Sequence, residues 1–158
     1  MARIFIGAVV RSGTPKPDIS TTDGLRKALL AAKSVAYSDS SSGTYLSTVG
    51  FKKLGVAEEV AKKSRKVRGP PSGEPVAAVI ARGEAELGFQ QVAELIHTPG
   101  VDFVGTVPAE IQPPTYFVGA LPAKAKQPEA AVALLRFLSS AEAAPVITKA
   151  GLKPLAAK

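Results

Sequence analysis

The chain has 158 residues, 46% of them hydrophobic, which is enough for one packed core and too few for two large domains. It contains no cysteine, which excludes disulfide bonds, thiolate chemistry and sulfur-ligated metal sites. The formal net charge is +7, but the basic residues are mostly scattered and aromatic residues make up only 6%, so we expect no nucleic-acid partner.

Predicted strands and helices alternate along the chain. Residues 3–10 are rich in β-forming residues and apolar on both faces, which predicts a buried strand. A capping sequence at 20–23 precedes leucines at helical spacing and predicts a helix over 21–32. Further strands are predicted at 34–37, 66–67, 86–89, 101–104 and 115–121, and further helices at 45–55, 56–63, from Pro75 to 82–85, through Ala131, Leu134, Leu135 and Leu138, and at 141–150. The pattern predicts an α/β fold with a mixed, mostly parallel sheet covered by helices on both faces.

Neither a membrane span nor a leader is predicted. The longest apolar runs, 4–10 and 28–32, are much shorter than the roughly 20 residues that cross a bilayer as a helix. No charged start followed by an apolar segment and a cleavage site is present, so we expect no signal peptide in this chain.

A serine-rich turn, Ser38 to Thr44, joins the predicted strand at 34–37 to a helix. Its first backbone N–H groups would be unpaired and would face whatever lies in front of the helix, which favours an anion. The alternative is that Ser41 or Ser42 only caps the helix, because serine is a preferred N-cap residue. Both interpretations remain open at this point.

Three predicted loops follow strand ends: Ser38 to Thr44, Gly69 to Gly73, and Gln90 with Gln91. Ligands of α/β sheets bind at the carboxyl ends of strands, and these loops offer uncharged hydrogen-bond donors. We therefore expect a site for a small anionic or polar solute. The candidate ligand-binding residues are Ser38, Ser41, Ser42, Gly43, Thr44, Ser72, Gly73, Gln90 and Gln91.

Catalytic patterns are sparse. His97 is the single histidine and no nucleophile is evident beside it, while Glu84 and Glu86 are typical of a solvated edge. The glycine spacing near Gly43 does not fit a phosphate loop, and the basic run 62–68 fits a solvated helix end better than a docking patch. We expect no catalytic residue, no cofactor, no metal and no enzymatic activity.

Several phrases resemble one protein family. They are 36–45, Pro75-Val76-Ala77, the run 81–91 containing Gly-Glu-Ala-Glu-Leu-Gly, and 135–144 containing Phe-Leu-Ser-Ser. Together they are similar to the molybdate-type extracellular solute-binding proteins of ABC importers, which implies a lobe of the type 2 periplasmic-binding-protein fold.

The resemblance covers nearly the whole chain but not the long N-terminal segment that builds most of the first lobe in this family. It implies a crossing strand in 1–17, a ligand-binding lobe in 18–111, and a return strand with C-terminal helices in 112–158. It also implies a periplasmic location, an ABC permease as partner, and anion contacts from the serine turn and the loop before Pro75. Gln91 stands where molybdate binders resemble one another in carrying a tyrosine, so the ligand stays open.

Two further expectations concern identity and assembly. The effector-binding domain of LysR-type regulators shares this lobe architecture and is the alternative function. The apolar strands 4–10 and 115–121 need cover on both sides, and so does the helix face with Leu134, Leu135 and Leu138. We therefore expect a homodimer formed through the C-terminal helices and these two strands, either by packing or by exchange of the segment after Pro113.

Overall fold

The computed structural model describes residues 1–155 and divides into two compact units. The larger unit is Phe5–Pro113, and the smaller unit combines Met1–Ile4 with the chain from Pro114 onward. The assignment of 1–17, 18–111 and 112–158 to a crossing strand, a binding lobe and a return segment stays a prediction. Its last three residues, 156–158, lie outside the described residues.

The elements follow one another along the chain at short intervals. The strands are β1 (Ala2–Ile4), β2 (Ile6–Arg11), β3 (Val35–Ser38), β4 (Ser64–Val67), β5 (Leu87–Gln91), β6 (Val101–Thr106), β7 (Thr115–Phe117) and β8 (Lys153–Pro154). The helices are α1 (Thr22–Ala31), α2 (Ser41–Tyr45), α3 (Phe51–Lys53), α4 (Ala57–Ala61), α5 (Val76–Ala81), α6 (Val92–Leu95), α7 (Pro128–Phe137) and α8 (Ala144–Lys149), with a π-helical turn at Leu46–Gly50 between α2 and α3.

The larger unit is built on a five-stranded sheet with the order β4-β3-β5-β2-β6. Strand β3 pairs in parallel with β4 and β5, whereas β2 pairs antiparallel with β5 and β6. Four strands therefore run one way and β2 alone runs the other. This confirms the predicted α/β class with a mixed, mostly parallel sheet.

Helices cover both faces of this sheet. On one face, Leu25 and Leu29 of α1 pack with Leu46, Phe51 and strand residues in the larger core cluster. On the other, residues of α5 and α6 pack on the sheet in a second cluster that comprises Val9, Ala36, Val67, Val76, Ala77, Val79, Ile80, Ala85 and Leu95. Because side chains alternate along each strand, successive strand residues belong to different clusters.

The predicted strand at 3–10 is two strands. Residues of β1 pair with β7 and β8 in the smaller unit, whereas β2 pairs with β5 and β6 in the larger one. The break falls at Phe5, whose carbonyl oxygen accepts a hydrogen bond of 3.0 Å from Val92 N–H. The run 3–10 is apolar on both faces, and this pattern predicted its burial correctly. Nothing in the pattern indicates that the chain passes from one sheet to another at Phe5.

The smaller unit has a three-stranded antiparallel sheet, β7-β1-β8, with α7 and α8 beside it. The strand predicted over 115–121 ends at Phe117, because β1 offers only three residues to pair with it. All three β7 residues are exposed, and neither helix buries a residue. The apolar face predicted on α7 is only partly covered, because Leu135 is half-buried whereas Leu134 and Leu138 are exposed.

Gln112 holds two segments of the larger unit together. Its side chain is buried, its Oε1 accepts from Ile6 N–H at 2.6 Å, and its Nε2 donates to Ile6 O at 3.2 Å and Val107 O at 2.6 Å. Nearby, Tyr45 Oη donates to Ile111 O at 2.7 Å. These contacts fix the chain just before Pro113 against the start of β2.

No helix among residues 1–155 has the length and apolarity required to cross a membrane.

Replacing Gln112 by leucine, which has a similar volume, should leave the buried N–H of Ile6 and carbonyl of Val107 without partners. An unsatisfied buried polar group costs about 1–3 kcal/mol, so we expect the free energy of unfolding to fall by about 2–4 kcal/mol. Urea denaturation measures this. Gln127→Leu, at an exposed position, is the control and should change stability by less than about 0.5 kcal/mol. Equal stabilities of the two variants would contradict this role of Gln112.

Candidate anion-binding site

The three predicted loops meet at the carboxyl ends of the parallel strands of the large sheet. Strand β3 ends at Ser38, which pairs with Val67, and Gln90 lies one residue beyond the paired Tyr37 and Phe89. Tyr37 and Phe89 pack in the larger core cluster, so Ser38 and Gln90 both point to the opposite face, where α5 lies. The serine turn, the loop before α5 and the end of β5 are therefore neighbours in space.

Three serine hydroxyls form a triangle at the start of α2. Ser38 Oγ lies 2.7 Å from Ser40 Oγ and 3.2 Å from Ser42 Oγ, and Ser40 Oγ lies 3.2 Å from Ser42 Oγ. Ser38 and Ser42 are buried, whereas Ser40 is exposed. We call Ser38, Ser40 and Ser42 the hydroxyl triangle. Ser40 was not among the candidate residues, because no periodicity shows which residue of a serine run faces its neighbours.

The hydroxyls of the triangle do not cap the helix. Ser40 is the N-cap residue, and its side chain makes no capping hydrogen bond. The first helical bond runs from Thr44 N–H to Ser40 O at 2.9 Å, so the N–H groups of Ser41, Ser42 and Gly43 precede the helical ladder. The hydroxyls are therefore available for something other than capping.

Gly43 brings the helix close to the strand. A Cβ at this position would lie 1.8 Å from Ser38 O and 2.9 Å from Ser38 N, closer than any real side-chain carbon approaches backbone. The contact explains why glycine stands here, and it makes Gly43 a packing residue. Thr44 is exposed, and its carbonyl oxygen accepts the hydroxyls of Ser47 and Thr48 at 3.2 and 2.7 Å.

The loop before α5 is fastened at both ends. Gly69 N–H donates to Asp39 Oδ1 at 3.0 Å, which ties the loop to the serine turn. Glu74 N–H donates to Arg68 O at 2.8 Å, and a Cβ on Gly73 would lie 1.9 Å from that same oxygen. Ser72 is exposed on this loop. The loop thus has a fixed position beside the hydroxyl triangle.

An ion-pair network supports the loop from outside. Arg82 binds Glu74 through two nitrogens, at 2.7 and 2.9 Å, and its Nε donates to Glu84, which also binds Arg65. These hydrogen bonds lower the pKa of the Glu74 and Glu84 carboxyls and raise the pKa of Arg82. All four groups are substantially exposed, so the network positions the loop and adds little stability.

The two glutamines at the end of β5 lie differently. They belong to the strand and not to the loop that follows it, which corrects the predicted boundary. Gln90 is 2% exposed, and its Oε1 accepts from Val76 N–H at 2.9 Å. Gln91 is half-buried and alternates to the other face, away from Ser38. A role of Gln91 in binding stays a prediction.

The discounted acidic residues have structural contacts. Glu84 belongs to the ion-pair network, and Glu86 Oε2 accepts from Lys33 N–H at 2.8 Å. His97 is exposed. Within residues 1–155 no three His, Cys, Asp or Glu side chains are grouped so that they could hold a metal ion.

Comparison with known proteins gives both sequence and structural relatives. The chain is 47% identical over its full 158 residues to an aconitate isomerase from Pseudomonas sp., and it spans 59% of that protein's length. The fold is similar to a substrate binding domain of a putative molybdenum ABC transporter from Clostridium difficile, with a TM-score of 0.79, 16% identity, and 98% of this chain and 65% of that chain covered. It is also similar to a periplasmic molybdate-binding protein from Azotobacter vinelandii, with a TM-score of 0.61, 19% identity, and coverage of 96% and 65%.

The isomerase relative corrects one expectation. We expected a protein without enzymatic activity, because no catalytic set could be assembled from the sequence. That expectation is wrong, since a protein with 47% identity over the whole of this chain is named as an enzyme. The sequence shows no set of nucleophile, acid, base or metal ligands, so its motifs could not predict an activity.

A sequence model of one family matches residues 1–153, nearly the whole chain. The match agrees with the resemblance in the serine turn and the 81–91 run, and it leaves the LysR-type alternative without support. The two solved structures have the type 2 periplasmic-binding-protein fold inferred from that resemblance. The chain belongs to the family of bacterial extracellular solute-binding proteins.

Proposed function

We propose that the chain binds a small carboxylate anion of the aconitate class at the hydroxyl triangle, and that the whole protein isomerises this anion. The hydroxyl triangle is the observation that carries the binding step. The name of the 47% identical relative supports the ligand class and the reaction. The chain spans 59% of that relative, so the activity of the whole protein is part of the proposal.

The triangle suits an anion because its hydroxyls can rotate. Without ligand, Ser38, Ser40 and Ser42 satisfy one another, since each hydroxyl both donates and accepts. With an anion present, the same hydroxyls turn their hydrogens toward it without moving a heavy atom. The adjoining N–H groups of Ser41, Ser42 and Gly43 add donors whose positions the backbone fixes.

Uncharged donors also suit repeated binding and release. They recognise a carboxylate without burying a counter-charge, which would have to be desolvated. The net charge of +7 supplies attraction at longer range and steers anions toward the protein. Asp39 places one carboxylate near the site, with Oδ1 held by Gly69 N–H. Hydrogen bonds at the site and long-range attraction by the net positive charge would therefore both favour binding of the anion.

Fixed donors can also serve an isomerase. Aconitate carries two carboxylates on its carbon–carbon double bond and a third on the neighbouring methylene group. Removing a proton from that methylene puts negative charge onto a carboxylate oxygen until a proton is returned at the other end of the three-carbon unit. Preorganised donors aimed at such an oxygen stabilise the charge where it develops. The triangle would supply that stabilisation.

A second candidate function is solute delivery to an ABC permease in the periplasm. The similarity to a substrate binding domain of a putative molybdenum ABC transporter favours it, and the ligand would then be an oxyanion such as molybdate. Ligand preference and turnover separate the two candidates. Tight binding of molybdate without conversion of aconitate would favour delivery.

We expect trans-aconitate to raise the melting temperature of the chain, with about 2.7 kcal/mol of added stability at 100 times its dissociation constant. Ser42→Ala removes one hydroxyl of the triangle and should weaken binding by roughly 10- to 150-fold, the range for a hydrogen bond to a charged group. Thermal shift with trans-aconitate, citrate, molybdate and sulfate measures this.

Ser47→Ala is the matched control, because Ser47 lies in the same helical segment but its hydroxyl bonds to Thr44 O outside the triangle. It should bind as the unchanged chain does. The same samples, incubated with trans-aconitate and separated by chromatography, test for the cis isomer. No shift with any of the four anions would refute the binding proposal, and binding without conversion would refute an isomerase activity of this chain by itself.

We also propose that the chain forms a homodimer through the smaller unit. This unit exposes Val118 by 80%, Val146 by 71% and Leu134 by 57%, which are high values for apolar side chains. A groove of about 370 Å³ there is lined almost wholly by apolar residues, including Phe117, Leu138 and Ile147. A second copy offers the same apolar surface and can cover it by two-fold symmetry.

Light scattering at low micromolar concentration should give the mass of two chains. Val146→Glu places a charge on the exposed face of α8 and should shift the population toward monomer, whereas Thr148→Glu, on the same helix, should leave the dimer intact. A monomer mass for the unchanged chain would contradict the homodimer.

A further inference from the structure

The amide of Gln90 has a fixed orientation. Its Oε1 accepts a hydrogen bond of 2.9 Å from Val76 N–H, the first residue of α5. A backbone N–H needs an acceptor, so the oxygen of this amide must face α5 and the NH2 group must face the other way. The residue is 2% exposed, so its surroundings leave it little freedom to turn.

The NH2 end of this amide is an unused donor. Gln90 Nε2 has no hydrogen-bond partner among residues 1–155. The protein does not enclose this nitrogen completely. It therefore reaches space that a water or a ligand atom can enter. Nearly buried side chains rarely leave such a group unpaired, so the unused donor indicates a missing partner.

The unused donor lies beside the hydroxyl triangle. Ser38 and Gln90 lie near the carboxyl ends of adjacent parallel strands, each one residue beyond the last registered pair, Tyr37 with Phe89. Both point to the α5 face, as Gly88 confirms, because a Cβ there would meet Ile80 and Val76 of α5 at 2.5 and 2.9 Å. Neighbouring strands are about 4.8 Å apart, so the side-chain amide of Gln90 can reach a ligand carboxylate that is bound to the Ser38 hydroxyl.

We propose that Gln90 is a specificity-determining residue of the anion site: it presents donors only, and so admits an ionised carboxylate and rejects a protonated or cationic group. This rests on the proposed function and deepens it. Because Val76 N–H is occupied by Gln90 Oε1, the amide takes the place of that backbone group as the donor on this side of the site. Ligand selection then depends on one side chain.

Gln90→Glu tests the proposal. A carboxylate keeps the acceptor for Val76 N–H but removes the donor and places a negative charge against the anion. We expect the dissociation constant for trans-aconitate, measured by calorimetry at pH 7, to rise at least about 30-fold. Gln127→Glu changes the net charge equally at an exposed position of the smaller unit, and its affinity should stay within about threefold.

A pH series separates a donor role from a structural one. Once the substituted carboxyl is protonated, below its ordinary pKa of about 4.3 or somewhat higher beside a bound anion, it again offers one donor and one acceptor. The ratio of variant to unchanged dissociation constants, taken at each pH, should therefore fall toward one as the pH decreases from 7 to 4. A structural defect in the glutamate variant would give a ratio that does not depend on pH.

Gln90→Met keeps the inference testable if the glutamate variant fails to fold. Methionine has a similar length but neither a donor nor a titratable group, so the ratio of variant to unchanged dissociation constants should be roughly ten at every pH from 7 to 4. A variant that binds trans-aconitate as tightly as the unchanged chain would overturn the role of Gln90 and leave the hydroxyl triangle in place. Failure of the unchanged chain to bind trans-aconitate would overturn the proposed function instead, and this inference with it.

Discussion

The packing of Gly43 on the backbone of Ser38 is the contact on which the rest of the site depends. Because glycine has no Cβ, the first turn of α2 approaches the end of β3 closely enough for Ser42 Oγ to lie 3.2 Å from Ser38 Oγ. Ser40, between them, completes the triangle. Any side chain at 43 would push helix and strand apart and separate the hydroxyls. A steric property of one residue thus sets the hydrogen-bonding geometry of three others.

Two neighbouring interactions keep this edge of the sheet in place. Asp39 holds Gly69 N–H, and the network of Arg82 with Glu74 and Glu84 holds the far end of the same loop. Both use charged groups, but each carboxylate is occupied by a protein donor. The hydroxyls of the triangle, the Gln90 amide and the backbone N–H groups of Ser41, Ser42 and Gly43 are all uncharged donors. This division of roles fits a site that receives an anion.

The sequence predicted the elements of the larger unit well, because its strands and helices have strong hydrophobic periodicity. It placed the serine turn at a strand end and identified the family. It could not show that the chain changes sheet at Phe5, since both halves of the run 3–10 are apolar and only the partner strands differ. It also extended β7 to residue 121, because the length of the pairing strand β1 is not visible in β7 itself.

The site was predicted as a set of loops but not as a geometry. Ser38, Ser42 and Gln90 were candidates and lie together, whereas Ser40 was missed and Gln91 faces the other side of the sheet. These differences depend on side-chain alternation and on Gly43, which fix angles that sequence spacing leaves open. The enzyme named among the relatives could not be foreseen, because hydroxyl and amide donors are common in binding sites and catalytic sites alike.

Amide NMR during a titration with trans-aconitate tests most directly that the hydroxyl triangle is the anion site. Our account predicts that the largest shifts fall on the backbone N–H groups of Ser41, Ser42 and Gly43 and on the side-chain NH2 of Gln90, all with one dissociation constant. Shifts concentrated elsewhere would contradict it, for example around the cavity lined by Arg11, Ala31 and Leu87, where strand β5 begins.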